Sequence, residues 1–353
     1  MFFTYKKNIS TSSKHILMKL FSVIFQARIV VYLSCLAGVL CGNKAFAWVD
    51  FVAPKVSNVV LQGNVYTAIE HTIYKDGQVI QQFPTSIFIE DMATNGNDIF
   101  VLATQTKIKN NQAEAYFYLY KNKKEEYKVK TTYETIEKAY LQLQKNTCFV
   151  CISGYNQGTT FYKNNTIWQE FSEYESPTSF QMINNNAYWV GRYESIPKLL
   201  KNKELAFNRA FTSYEDGNVQ FLVHQNNYYY TALNNESFPE LYENGNKLYN
   251  LPTHKGNVAC KGIAFVNGSF YVYGHCGSKQ TEKNRACYWK DGTLVEISKD
   301  DVHSDVTQVF SNQEDIYVSV LENVDNYKKM VCKIYKNNHL LYTLPLLQPN
   351  NKL

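Results

Sequence analysis

Several things are missing from this chain, and each absence removes a class of function. There is no nucleophile elbow, no phosphate-cradling glycine loop and no dinucleotide-binding glycine pattern. No carboxylates pair at a spacing that points to acid/base work. No Pro/Gly/Ser-rich linker divides the chain into tethered domains. One apolar run occurs, Ile29 to Cys41, and it is too short for a comfortable membrane span. With no cofactor motif, no cofactor is expected.

That run belongs to a segment of its own. Lys6, Lys7, Lys14, Lys19 and Arg28 precede it, and Ala45-Phe46-Ala47 follows it. A basic region, an apolar core and an A-x-A site make a secretory signal peptide over residues 1–47. The expected localisation is secreted or periplasmic, with no membrane attachment after cleavage. The small and apolar residues that lipoprotein cleavage needs are missing before Cys35 and Cys41.

The leader also distorts the charge. The whole chain has 36 basic and 31 acidic residues, and the leader holds six basic residues and no acid. Residues 48–353 therefore carry 30 against 31, and no charge argument for nucleic acid survives.

What is abundant is Tyr (28) and Phe (21), mixed with many Asn. Strand formers alternating with turn formers indicate an all-β chain. An anchor of aromatic or Leu, then Lys or Glu, then Asp or Asn recurs seven times. It starts at Tyr74, Tyr120, Tyr162, Leu200, Tyr242, Trp289 and Tyr335, with spacings of 46, 42, 38, 42, 47 and 46. Asp76-Gly77, Asn244-Gly245 and Asp291-Gly292 suit a two-residue type I′ hairpin, whose central residues both take φ > 0. Asn122-Lys123 and Asn202-Lys203 suit it less well and suggest a longer turn.

A second aromatic precedes each anchor: Tyr66, Phe100, Phe149, Trp189, Tyr230, Tyr271 and Tyr317. Each unit thus reads as four strands, a to d, with tight a–b and c–d turns. Such repeats predict a seven-bladed β-propeller of four-stranded antiparallel blades over residues 48–353. The seven aromatics on strand b are expected to pack between blades. The fourth unit is the least regular, with strand d near Glu204 to Phe207.

Tyr271-Val272-Tyr273-Gly274 with Cys287 to Gly292, and Tyr188-Trp189-Val190-Gly191, resemble the repeats of secreted bacterial β-propellers with a Tyr-Val-x-Gly … Tyr-Trp-Lys-Asn-Gly pattern. The resemblance implies a fold and brings no catalytic residues with it. Trp-Asp strand endings and Ser-x-Asp-x-Gly-x-x-Trp boxes are absent.

Strand alternation puts all a–b and c–d turns on one face of the disc and all b–c and d–a connections on the other. The turn face carries Lys75, Lys121, Lys163, Lys201, Lys290 and Lys336, interrupted by Glu243. The loop face varies, and binding residues favour variable loops on a rigid scaffold. On it lie His254, His275 and His303, with Asp300 and Asp301 nearby, and also Arg192 and Tyr193. These are the candidate ligand-binding residues. The histidines lack the spacing of a metal site, so no metal is expected.

Cys148 and Cys151, three apart in a strand, should point to opposite faces and form neither a chelate nor a disulfide. Cys276 and Cys287 lie on strands b and c of one unit and are the disulfide candidates, with Cys260–Cys276 as the competing pair. The expected function is a non-enzymatic binding or scaffold module for a protein or carbohydrate ligand. The competing expectation is a propeller hydrolase or lyase using histidines around the channel mouth.

Overall fold

The computed structural model describes residues 54–346, apart from 155–156, 172–176, 194–195, 203, 208–219, 234–237, 255–257, 278–282, 299–301, 313 and 325–328. The side chains of 192, 193, 196, 197 and 207 also lie outside the description. The signal-peptide segment, Asp300 and Asp301 fall outside the described residues. Among those residues no helix is long and apolar enough to cross a membrane.

The chain forms seven four-stranded antiparallel blades, each made of four consecutive strands. They span residues 56–82, 88–130, 136–171, 179–207, 221–250, 259–296 and 303–345. Strand a of every blade neighbours strand a of the next, and that of blade 7 neighbours that of blade 1. The a strands therefore line the centre, and the ring closes without exchanging a strand between its ends. Side chains make the closure. Gln308 Oε1 accepts from the Asn58 backbone N–H (2.9 Å) and from Asn58 Nδ2 (3.0 Å), and Gln308 Nε2 donates to the Asn58 carbonyl (3.1 Å). Val65, Ile69 and Tyr74 pack with Tyr317, Ile334 and Leu344 in one apolar cluster.

Each blade is apolar on both faces, because each is sandwiched between two others. Cys148 faces the cluster shared by blades 2 and 3, and Cys151 the one shared by blades 3 and 4. The two cysteines point apart, as a period of two requires.

The turn chemistry is stricter than hairpin preference. In all seven blades the Asp or Asn of the anchor has φ between 47° and 54°. In all seven its side-chain Oδ1 accepts a hydrogen bond from a backbone N–H at the start of strand b. The donors are Val65, Ile99, Cys148, Ala187, Tyr228, Phe270 and Ile316. The anchor's own N–H donates to the carbonyl of that same residue. One side chain thus ties the c–d turn to the a–b turn, which explains why only Asp and Asn occupy the position. Asn122-Lys123 keeps the two-residue turn, with Lys123 at φ 74°, so the longer turn is not needed there. At Asn202 the anchor bonds are also intact, while Lys203 lies outside the described residues.

The lysine after each anchor aromatic pairs across to strand b. Tyr66, Phe100, Phe149, Tyr188, Tyr271 and Tyr317 stand opposite a lysine, and Tyr229 stands opposite Glu243. Five lysines sit over the facing ring at 5.7–5.9 Å, and Tyr229 Oη donates to Glu243 (2.7 Å). This register corrects the aromatic series in two blades: the equivalents are Tyr188 and Tyr229, not Trp189 and Tyr230. A one-residue slip reverses the face. Trp189 packs toward blade 3, while Tyr188 packs toward blade 5.

At the centre, Asp91 on strand a of blade 2 (Phe88–Thr94) binds three donors. They are Ser57 Oγ of blade 1, the Leu141 N–H of blade 3 and its neighbour's N–H at Met92, all at 2.9 Å. Burial pushes its carboxyl above the usual range, while Lys55 and the donors pull it down. Lys55 itself donates to the Ala139 carbonyl at 2.9 Å.

Candidate functional site

The histidines are placed by blades 6 and 7. Strand b of blade 6, Ser269–Gly277, ends at the loop face, where strand a of blade 7, His303–Ser311, begins. Alternation sends Tyr271, Tyr273 and His275 toward blade 7, and Val272 and Cys276 toward blade 5.

Where blades 6 and 7 meet, His275 Nδ1 lies 3.4 Å from Asp305 Oδ2, and Lys261 Nζ lies 3.8 Å from the same oxygen. His303 Nδ1 accepts the backbone N–H of Asn284 at 3.2 Å. That bond leaves Nδ1 unprotonated, so the neutral ring carries its proton on Nε2. Burial pushes the His303 imidazole below its ordinary value, and Lys283 and His275 push it further. His303 stands opposite Asn323 on strand b of blade 7 (Ile316–Val324). Asn323 has the parity of Leu321, which packs toward blade 1, while Val320 packs toward blade 6. Asp305 Oδ1 and Asn323 Oδ1 are both buried and have no hydrogen-bond partner among the described residues.

His254 belongs elsewhere. Its Nε2 lies 2.5 Å from Glu296 Oε1, and Arg285 pairs with the same carboxylate. Glu296 and Arg285 share the face of Cys287 and Cys276, toward blade 5. The sheet of blade 6 therefore separates His254 from His275. The three histidines do not meet in one pocket, whereas His275 and His303 lie near one another where blades 6 and 7 meet. Arg192 and Tyr193 end strand b of blade 4, Asn186–Tyr193, with their side chains outside the described residues. Among the described residues no group of three or more His, Cys, Asp or Glu is arranged to hold a metal ion.

Cys260, Cys276 and Cys287 share the face of blade 6 that meets blade 5. All three are buried thiols here. Cys260 and Cys287 flank Gly274 on neighbouring strands, and Cys276 lies diagonal to Cys287. A hydrogen bond from Cys287, helped by Arg285, pulls the Cys276 thiol below its ordinary value. Burial pushes Cys287 far up and Cys260 up to about 12. The structure thus brings the candidate pair Cys276 and Cys287 into contact as thiols.

Asp305, Asn323 and Lys261 are absent from the candidate list drawn from the sequence. The available signal is positional. Asp305 lies two residues past His303 on the same face, and Asn323 lies across from His303. In a blade covered on both faces, a polar residue at such a place is buried.

No protein-family model matches the chain, and no curated protein matches it. Among solved structures it is similar to BBS1N, crystallised in complex with ARL6DN. That likeness has a TM-score of 0.51 and 14% identity, over 85% of this chain and 94% of the other. It is also similar to the computationally designed Ika8 protein, with a TM-score of 0.48 and 12% identity over 82% and 86% of the two chains. No family model or curated relative accompanies these matches, and at such identity the likeness to BBS1N shows a shared fold and nothing more.

Proposed function

We propose that the protein is a secreted or periplasmic binding module whose ligand docks on the loop face, at the end of blade 7. A carbohydrate is favoured over a protein. The observation that carries this reading is the pair of buried acceptors, Asp305 Oδ1 and Asn323 Oδ1, without a donor among the described residues. An unmet buried acceptor costs about 1–3 kcal/mol. A sugar ring brings adjacent hydroxyl donors, which would offset that cost on binding. The neighbouring imidazoles of His275 and His303 and the ammonium of Lys261 add further polar contacts at the rim.

A hydrolase or lyase reading draws on the same groups, since Asp305 orients the His275 ring as it would a general base. It requires turnover that His275→Gln abolishes.

The test is a glycan array and a purified-protein binding screen on residues 48–353, repeated with Asp305→Ala and Asn323→Ala. A hit weakened at least tenfold by both substitutions, with melting temperature retained, supports the reading. Silence in both screens, or hits that neither substitution affects, counts against it.

A further inference from the structure

A second surface lies on blade 2, away from that site. Its strand b, Ile99–Lys109, has 11 residues, and its strand c, Gln112–Lys121, has 10. The b strands of the other blades have 6 to 9. Strand a reaches only to Thr104, and strand d only to Tyr116. Residues 105–109 and 112–115 therefore project as a two-stranded arm, roughly 15 Å long at about 3.4 Å per residue.

The arm has an open edge. Asn110 and Asn111, at φ 50° and 61°, make a two-residue turn closed by the pair Lys109 and Gln112. Bonding alternates along a hairpin, so Lys109 and Lys107 bond inward while Ile108 and Thr106 turn their N–H and C=O groups outward. Among the described residues no backbone bond from outside the hairpin meets those four groups. On the strand c side the outward Ala115 carbonyl is already taken by the Thr131 N–H at 2.9 Å. That leaves only Ala113 open between Ala115 and the turn, so the longer open edge is the one at 105–109.

Its chemistry is uneven. Lys107, Lys109, Lys128 and Lys130 are exposed on one face of the arm and its base. Lys107 and Lys128 sit over the Tyr116 ring at 5.7 and 4.4 Å, which holds both ammonium groups in place. Glu114, the acid on that face of the arm, is committed to Lys130 and to Tyr116 Oη, each at 2.6 Å. On the opposite face Ile108 is 62% exposed. Lysines alone would suit an edge guarded against pairing. An exposed isoleucine beside unpaired backbone is the reverse of a guard.

We propose that this arm docks an acidic, extended polypeptide segment, which adds as a strand along residues 105–109. Strand addition draws affinity from main-chain bonds and specificity from alternate side chains. The added strand sets carboxylates against Lys107 and Lys109 and apolar residues beside Thr106 and Ile108. The partner's sequence therefore alternates acid and apolar residues.

The test uses residues 48–353 and a fluorescein-labelled Glu-Val-Glu-Val-Glu-Val peptide, read by anisotropy, with heparin as a second probe. Ile108→Pro removes an outward N–H while leaving the inward bonds of the hairpin in place. The expected result is salt-sensitive peptide binding that weakens at least tenfold in Ile108→Pro and in the Lys107→Glu/Lys109→Glu double variant. The double variant should in turn bind Lys-Val-Lys-Val-Lys-Val, which keeps the test decisive if the proline variant does not fold. Three results overturn the proposal. They are no peptide binding at about 1 mM, full binding retained in a folded Ile108→Pro, and charge reversal that fails to swap peptide preference. Heparin binding that only the lysine substitutions remove would make the arm a site for anionic glycans instead.

Discussion

Asn164 offers the cleanest measure of what the repeated anchor does. Its Oδ1 accepts the Cys148 N–H at 3.1 Å, its own N–H donates to the Cys148 carbonyl at 2.7 Å, and its φ is 54°. Three substitutions separate the contributions. Asn164→Asp keeps the acceptor and tolerates the left-handed conformation, so it should be close to neutral. Asn164→Gly keeps the conformation and loses the side-chain bond, which is worth about 1 kcal/mol. Asn164→Ala loses the bond and adds left-handed strain of about 1 kcal/mol, for a total of about 2 kcal/mol. At about 2.1 cal/mol/K per residue, a ring of this length unfolding as one unit loses about 3 °C for the alanine variant. The glycine variant loses about half of that. Differential scanning calorimetry resolves the series. Equal melting of the Asp, Gly and Ala variants would refute the clip, because turn propensity and side-chain bonding would then both be irrelevant at this position.

Other outcomes follow from single sites. Gly274→Ala should unfold blade 6, because a Cβ there would lie 2.0 Å from the Ala259 carbonyl oxygen; the expected cost is on the order of 3 kcal/mol by chemical denaturation. Asp91→Ala orphans the Leu141 N–H and leaves the Ser57 hydroxyl without its acceptor, while the Met92 N–H keeps Ser57 Oγ; it should cost about 2–4 kcal/mol with loss of cooperativity among blades 1 to 3. The depressed pKa of His303 makes stability depend on pH. Its contribution is full above the ordinary imidazole value of about 6.5 and is lost as pH falls from there through the lowered value of the folded protein. Melting temperature should therefore drop on mild acidification, and the drop should shrink in His303→Asn.

The fold was legible because its signal is local and repeated. Each anchor needs only a turn residue, an apolar neighbour and a strand on either side, and seven copies in phase leave few architectures. Register was less legible in blades 4 and 5. There Tyr188-Trp189 and Tyr229-Tyr230 put aromatics on both faces, and composition cannot choose between them. The choice is made by Asn202 and Asn244, whose side chains bond the N–H groups of Ala187 and Tyr228. The site was read in part. His275 and His303 come together because they end and begin strands on the same side of one blade interface. His254 is close to them in sequence order but lies across the sheet. Asp305 and Asn323 were passed over because a polar residue in a strand ordinarily signals a solvent-facing side, whereas a propeller blade has neither face in solvent.

The most direct test of the account is a crystal structure of residues 48–353 with a ligand from the binding screen. The account predicts ligand donors within about 3.2 Å of both Asp305 Oδ1 and Asn323 Oδ1, at the loop-face end of blade 7. A ligand seated on the turn face, leaving those two oxygens without its donors, would contradict it.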